Sequence, residues 1–429
     1  METLQSADIK PYNQPMSASR LYPRFAETAL VEALTDSPVV LIHGPRQCGK
    51  STLARMLGDK RGYTYTSFDD EVMREAAETD PIGFVDALPE RAILDEVQRV
   101  PTLFTSLKSA VDRDRQPGRF LLTGSSNVLL VPRLSDSLAG RMAIQRLHPF
   151  AQCERTGKPS VFLDHLFTAD FPARKMARLK DELPARIAAG GYPPALERPE
   201  ARRRSNWYRD YINTLIQRDV RELTRISALD ALPRLLGMAA GRTAQLFNLS
   251  DLASPFQLSR ITIGDYVALL ENIFLLERIP PWHSNRSSRL VKTPKLHMGD
   301  TGLACGLLGL DANALAADRA QLGTLLETFV YQELRRLASW HPQHHDFYHF
   351  RDRDKVEVDI VIERGARQLA GVEVKAAATV TAADFSGLRK LRKTAGKRFV
   401  AGVVLYDGEA CASFGDGLFA VPLRLLWDM

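Results

Sequence analysis

Long apolar runs are missing from this chain. No stretch reaches the roughly 18 apolar residues that a membrane-spanning helix needs. The N-terminal segment, broken by Pro11, Pro15 and Pro23, has no apolar centre of the kind a signal peptide carries. A cytoplasmic protein with no membrane partner is therefore expected. Cysteine is scarce: Cys48, Cys153, Cys305 and Cys411 lie far apart and form no CxxC pair. That argues against a zinc finger or a disulfide framework and fits a reducing compartment. A strong charge bias is also missing, with 57 Lys and Arg against 51 Asp and Glu, a formal charge of +6. This permits a nucleic-acid partner without pointing to one. There is no internal repeat and no low-complexity tract. What remains, 45% hydrophobic and 25% charged residues over 429 positions, describes a globular chain of two or three domains.

The order of patterns divides the chain. Residues 1–24 are polar and proline-punctuated and read as an N-terminal extension. An amphipathic helix is expected over 25–35. Short apolar runs follow at 39–43, 63–68, 91–94 and 120–122, separated by helix-length segments, which predicts a parallel α/β sheet over 25–150. Residues 151–235 turn helical, punctuated by Gly190-Gly191-Tyr192-Pro193-Pro194. Three short helices and a hairpin are expected over 236–285. The remainder, 286–429, opens with a helix at 323–338, followed by strands at 355–363 and 368–375, a charged helix near 382–395 and a strand at 399–405.

One motif is complete. Gly44-Pro45-Arg46-Gln47-Cys48-Gly49-Lys50-Ser51-Thr52 satisfies G-x-x-x-x-G-K-[ST], after an apolar strand and at the start of a helix. Its glycines let backbone N–H groups converge on phosphates, and the helix N-terminus adds partial positive charge. Lys50 can reach the β- and γ-phosphates, and the Ser51 hydroxyl can bind Mg²⁺. A second element, Ala92-Ile93-Leu94-Asp95-Glu96, ends an apolar strand in two carboxylates. Asp95 is expected to hold Mg²⁺ through water, and Glu96 to polarise the attacking water. Ser125 or Thr123, after the next strand, is a candidate sensor of the γ-phosphate. Arg141, with Arg133 behind it, is a candidate for the arginine that stabilises charge as the bond breaks, from the same subunit or from a neighbouring copy in a homo-oligomer. Cys48 inside the loop raises the question of oxidation sensitivity. His43 reads as a packed strand residue.

Together, Gly44–Thr52, Asp95-Glu96, Gly124-Ser125-Ser126, Gly140-Arg141 with Pro149-Phe150, and Gly190-Gly191-Tyr192-Pro193 resemble bacterial and archaeal AAA-like ATP-binding proteins that carry a C-terminal restriction-endonuclease-like domain. The resemblance runs from about residue 20 to near the end. It implies an α/β multidomain fold: a P-loop AAA-like parallel sheet, a helical and winged-helix-like middle, and a restriction-endonuclease-like C-terminal α/β domain.

Residues 249–253 and 259–270, joined by a turn with Pro255, have helix-turn-helix order. The second helix offers only Arg260, Thr262 and Asp265, thin material for reading bases. Arg286, Arg289, Lys292 and Lys295 make a better basic strip. Farther on, Asp359 lies on one strand, and Glu373 and Lys375, two apart on the next, should project to one face. Asp359, Glu373 and a helical Glu327 (Glu333 less readily) are expected to hold Mg²⁺, with Lys375 helping to activate water against a phosphodiester. The order helix Glu, strand Asp, then Glu-x-Lys resembles the restriction-endonuclease-like core, with Val358 where that superfamily often has Pro. Basic residues at 389–398 would suit a phosphate backbone. His341, His344, His345 and His349 with Asp346 cluster in an expected loop without metal-site spacing. The expected ligands are ATP and Mg²⁺. DNA or RNA is the expected partner of the C-terminal half. The alternative is a signalling or scaffold ATPase whose C-terminal half binds a partner protein and cuts nothing.

Overall fold

A computed structural model of the chain describes residues 21–125, 138–220, 231–284 and 293–429. Ser126, Arg133, Arg286, Arg289 and Lys292 lie outside the described residues. Five strands, β1 (Val39–His43), β2 (Thr64–Ser67), β3 (Ala92–Asp95), β4 (Phe120–Gly124) and β5 (Met142–Arg146), form one parallel sheet of order β2-β3-β4-β1-β5. Every residue of β1, β3 and β4 is buried, as expected for central strands covered on both faces. Val39, Leu41, Leu94 and Phe120 meet Phe68, Phe104 and Leu107 on one face. Val40, Ile42, Ile93 and Leu121 meet Leu30, Leu53 and Leu57 on the other. The edge strand β5 escaped the hydrophobic pattern because its burial is only partial.

The parallel register decides where chemistry can occur. His43 is level with Gly124 and Arg146, and Ser67 with Asp95, so the loops after β1, β3 and β4 emerge at one edge. Arg141 lies at the opposite edge, where the Val39 N–H donates to its carbonyl. Its guanidinium pairs with Asp112 at 2.6 and 3.1 Å. The expectation that Arg141 acts on the γ-phosphate of its own subunit is therefore corrected.

Helices Glu182–Ala189 and Ala201–Leu215 follow. Next come helices Ala231–Gly241, Leu249–Ala253 and Arg260–Asn272, with an antiparallel sheet of β6 (Gln245–Leu246), β7 (Leu276–Ile279) and β8 (Lys295–Met298), order β6-β8-β7. An expected module end at 285 would cut this sheet, because its middle strand β8 lies beyond that point. The last sheet runs β13-β14-β12-β11-β10-β9, from β9 (His345–Arg351), β10 (Glu357–Arg364), β11 (Gln368–Lys375), β12 (Phe399–Tyr406), β13 (Ala412–Ser413) and β14 (Leu418–Pro422). Helix Arg319–Ser339 covers one face and helix Ser386–Ala395 the other. Of the histidines expected in a loop, His341 and His344 precede β9, whereas His345 and His349 lie on it.

One continuous apolar core joins Phe162, Tyr208, Leu235, Ile263, Leu325, Val403 and Trp427. Described segments from the helical region to the last sheet thus share this core, and a second apolar cluster, around Phe350, Val358 and Leu388, lies on the other face of that sheet. Among the described residues, no helix is long and apolar enough to cross a membrane.

Candidate functional site

The loop after β1 takes its shape from glycine. Gly44 has φ +154°, and a Cβ there would fall 2.1 Å from the Leu147 carbonyl oxygen. Gly49, at φ +100°, opens helix Lys50–Asp59 from a left-handed conformation. Lys50 is buried, and its Nζ donates to the carbonyls of Gly44 (3.1 Å) and Pro45 (2.8 Å). Arg24 grips the loop from outside, donating to Cys48 O at 2.7 Å and His148 O at 2.6 Å while pairing with Glu154 at 2.9 Å. Residue 24 is thus part of the ATPase core, not of an N-terminal extension. Cys48 is fully buried, and burial raises its thiol pKa, so it has the character of an inert structural thiol rather than a redox sensor.

At the same edge, Asp95 is held from three sides. Ser51 Oγ donates to its Oδ1 at 2.7 Å, Tyr65 Oη donates to its Oδ2 at 2.7 Å, and the Thr123 hydroxyl donates to Oδ1. Glu96 adopts a left-handed backbone at φ 60°, an unusual conformation for a non-glycine residue and one that concentrates at functional sites. Its carboxylate accepts from Ser125 Oγ at 2.8 Å and from the Gln98 amide, which also reaches Ser125 at 3.0 Å. Arg46 lies 3.9 Å from the same carboxylate. The expected base, Glu96, and the expected sensor, Ser125, are thus hydrogen-bonded to each other.

Helix Ala201–Leu215 roofs this edge. Tyr211 Oη donates to Arg46 O at 3.0 Å, and Trp207 stacks on Tyr211 with ring centroids 5.0 Å apart. Between roof and loop lies a cleft of about 670 Å³ lined by Lys50, Ser51, Thr52, Glu96, Trp207 and Arg218, among others. Arg218 sits on a π-helical turn, Ile216–Val220, that extends the roofing helix. A smaller pocket of about 280 Å³ adjoins it, sharing Gly49, Thr52, Pro193 and Glu197. Leu21, Tyr22, Met56, Phe150 and Leu196 make that pocket apolar. Sequence reading missed Arg24, Gln98, Tyr211 and Arg218, because chain folding alone brings them to the loop.

A buried charged cluster ties this region to the rest of the chain. Arg336 donates to Asp300 at 2.8 Å, to Glu333 at 2.6 Å and to Phe150 O at 2.9 Å. Asp300 accepts the Gly191 N–H at 2.9 Å, and Glu333 accepts the Gln152 N–H at 2.8 Å. The Gly190-Gly191 pair is required by this contact: a Cβ on Gly190 would lie 2.1 Å from Asp300, and one on Gly191 2.7 Å from Phe150 O. Glu333 belongs here and not with Asp359.

The expected C-terminal constellation is brought together, with one addition. Asp359 lies within an irregularity of the β9–β10 ladder, between Val358 and Val361, the kind of break that re-aims a side chain. Glu373 and Lys375 share a face, 3.8 Å apart. The addition is Lys295 of β8. Expected on a basic surface strip, it is buried instead, and its Nζ lies 2.7 Å from Glu327 Oε1 and 3.4 Å from Asp359 Oδ1. Burial and the neighbouring Asp359 raise Glu327 to about 8 and push Glu373 well above the ordinary carboxylate range. Among the described residues, no group of three His, Cys, Asp or Glu is arranged to hold a metal ion. An ammonium, Lys295 Nζ, thus stands beside Glu327 and Asp359, two of the three carboxylates expected to hold Mg²⁺. Of the basic residues at 389–398, Lys390, Arg392 and Arg398 are engaged by Asp352, Asp416 and Glu363. Thr262 is drawn into the Ser259 cap of its helix, which further thins the base-reading surface.

Buried histidines, His43 and His349 among them, should make stability pH-dependent. Burial, with Arg146 and Lys50 nearby, lowers His43 to about 4; burial, with Lys295 nearby, lowers His349 to about 4. The unfolded chain takes up these protons near pH 6.5 and the folded chain only near 4. Stability should therefore fall as pH drops through that window and level off below it, by on the order of 3 kcal/mol per histidine. Urea unfolding at stepped pH checks this. A His43→Asn, His349→Asn chain should show a flatter profile, and an unchanged slope would reject the assignment.

Comparison with known proteins places these features in a family. An AAA domain model matches residues 36–156, and two domains of unknown function, DUF8612 and DUF4143, match 180–314 and 322–426. The uncharacterized proteins Rv2008c of Mycobacterium tuberculosis and Mb2031c of Mycobacterium bovis are each 31% identical over 402 residues, 93% of this chain and 83% of theirs. Among solved structures, the Walker-type ATPase PABY2304 of Pyrococcus abyssi aligns with a TM-score of 0.44 at 16% identity, covering 70% of this chain and 99% of that one. The RuvB Holliday junction branch migration motor of Thermotoga maritima aligns with a TM-score of 0.28 at 19% identity, covering 59% of this chain and 87% of that one.

Proposed function

The chain belongs to the same family as these mycobacterial proteins, with an AAA-type P-loop ATPase domain at its front, and we propose that it is an ATP-hydrolysing switch whose output lies in the C-terminal half. The observation that carries this is the gathering of Lys50, the Ser51–Asp95 pair and the Glu96–Ser125 pair at one sheet edge, beneath a helix that bonds the phosphate loop. The loop amides and Lys50 bind the phosphates. Ser51 and Asp95, already side by side, suit Mg²⁺, which neutralises phosphate charge when bound. Glu96 orients the attacking water, and Ser125, bonded to Glu96, reports on the γ-phosphate. Arg218 and Arg46 replace Arg141 as same-subunit cations facing the transferring group. Lys50→Ala should weaken ATP binding, measured by titration calorimetry, by about 100-fold or more, roughly 2.7 kcal/mol. Unchanged affinity would remove the basis of this reading.

The apolar pocket beside the cleft suits the purine, with Tyr22, Phe150 and Leu196 as its walls. Met56→Asp should raise the KM for ATP by about tenfold with little change in kcat, because it removes binding common to ground and transition states. A kcat loss at unchanged KM would place the base elsewhere.

The Asp300–Glu333–Arg336 cluster offers the path by which nucleotide state reaches helix Arg319–Ser339 and the sheet it covers. The three helices and three-stranded sheet before it follow winged-helix order. For the C-terminal half, a module that binds a nucleic-acid or protein partner without cutting is favoured over a nuclease, on the observation that Lys295 stands among the carboxylates.

A further inference from the structure

We propose that Lys295 is the resident cation of the Glu327–Asp359–Glu373 cluster. On this proposal the C-terminal domain takes up no divalent metal and cleaves no phosphodiester, and it uses these carboxylates to lock the three-stranded sheet onto itself. The proposal rests on the non-cleaving reading of the C-terminal half and supplies its physical cause.

The ammonium of Lys295 lies within hydrogen-bonding reach of Glu327 and within ion-pairing distance of Asp359, two of the three carboxylates, on separate elements, expected to hold the metal. Mg²⁺ demands oxygen ligands at about 2.0–2.1 Å in octahedral array and keeps several waters. It could not share that position with an ammonium. The second oxygen of Asp359 is also committed, accepting the Val374 N–H at 3.0 Å. Lys375, the lysine that sequence order assigns to water activation, instead leans on Glu373 and is partly exposed.

The lysine cannot simply withdraw. Lys295 sits on the middle strand of its sheet, with Leu246 opposite it on one side and Ile279 on the other. Its side chain is 4% exposed. Moving the ammonium out would break the ladder or leave two carboxylates buried without a counter-charge, a costly outcome. The same contact therefore does two things: it fills the cation position and joins β8 to helix Arg319–Ser339 and β10. Nothing in the sequence around residue 295 predicts this, since its partners lie 32 and 64 positions away.

The test is thermal unfolding of the nucleotide-free full chain with and without MnCl₂, for the parent, Asp359→Asn, Lys295→Met and the double variant. Mn²⁺ should shift the parent and Asp359→Asn equally, whatever the phosphate loop contributes. Lys295→Met should lower the Tm, Mn²⁺ should restore part of that loss, and adding Asp359→Asn should abolish the restoration. The proposal is overturned if Mn²⁺ raises the parent Tm by an increment that Asp359→Asn removes, or if the parent cleaves single- or double-stranded DNA or RNA in an Asp359-dependent way. Should Lys295→Met fail to fold, the parent and Asp359→Asn arms still decide the metal question. ATP affinity of the parent and Lys50→Ala chains reports the phosphate-loop site alone, so failure of the ATPase reading would show itself separately.

Discussion

Glu96→Gln is expected to bind ATP as tightly as the parent chain while its single-turnover hydrolysis falls by about 10²–10⁴-fold. The substitution keeps the size and hydrogen-bonding shape of the side chain, so the Ser125 contact at 2.8 Å and the Gln98 contact can persist. What is lost is the negative charge that polarises water. The left-handed backbone at position 96 should be retained, because glutamine adopts the same region at Gln47 and Gln257. Quenched-flow hydrolysis with ATP binding measured on the same sample separates the two effects. If binding and hydrolysis fall together, Glu96 shapes the site without acting as the base. If neither falls, the base is another group, and the pairing of Glu96 with Ser125 has a structural meaning only.

Arg336→Met should be the most destabilising of the substitutions considered, by about 3–5 kcal/mol, because it strands Asp300 and Glu333 in the interior without a counter-charge. Both carboxylates have side chains at most 1% exposed and rely on the same guanidinium. The Asp300 oxygen that meets Arg336 also accepts the Gly191 amide, and the other Glu333 oxygen accepts the Gln152 amide, so the loss should spread to the Gly190-Gly191 turn and to the segment beside Phe150. Urea unfolding measures the cost. A chain that also carries Asp300→Asn and Glu333→Gln should recover part of it, since neutral amides tolerate burial better than unpaired charges. Parent-like stability in Arg336→Met would mean that the cluster does not tie the ATPase sheet to the later elements.

Much of the ATPase sheet was legible because its signals are local. A parallel strand covered on both faces must be largely apolar, and 39–42, 92–94 and 120–122 are entirely so. The partly exposed β5 carries no such signal and was missed. In the C-terminal half, β11 was predicted at its observed limits and β10 within two residues, because short apolar, valine- and isoleucine-containing runs mark them. β9 was hidden by its histidines, which read as polar loop residues although His345 and His349 are buried. Domain boundaries were the least legible feature. The sheet that includes β8 crosses the expected boundary at 285, and one core joins described residues from Phe162 to Trp427.

The sequence by itself determined the phosphate loop and the carboxylate pair after β3. Their chemistry resides in consecutive residues: glycines that free the backbone, a helix start, and a lysine, a hydroxyl and two acids at fixed offsets. Only the tertiary structure decided which cations meet them. Sheet register sends Arg141 to the far edge, chain folding brings Arg24 and Arg218 to the loop and its cleft, and a strand from another module carries Lys295 into an acidic cluster that residue order had reserved for a metal. The reason is physical. A charge acts over a few ångströms of space, and the distance between two charges is set by packing rather than by their separation along the chain.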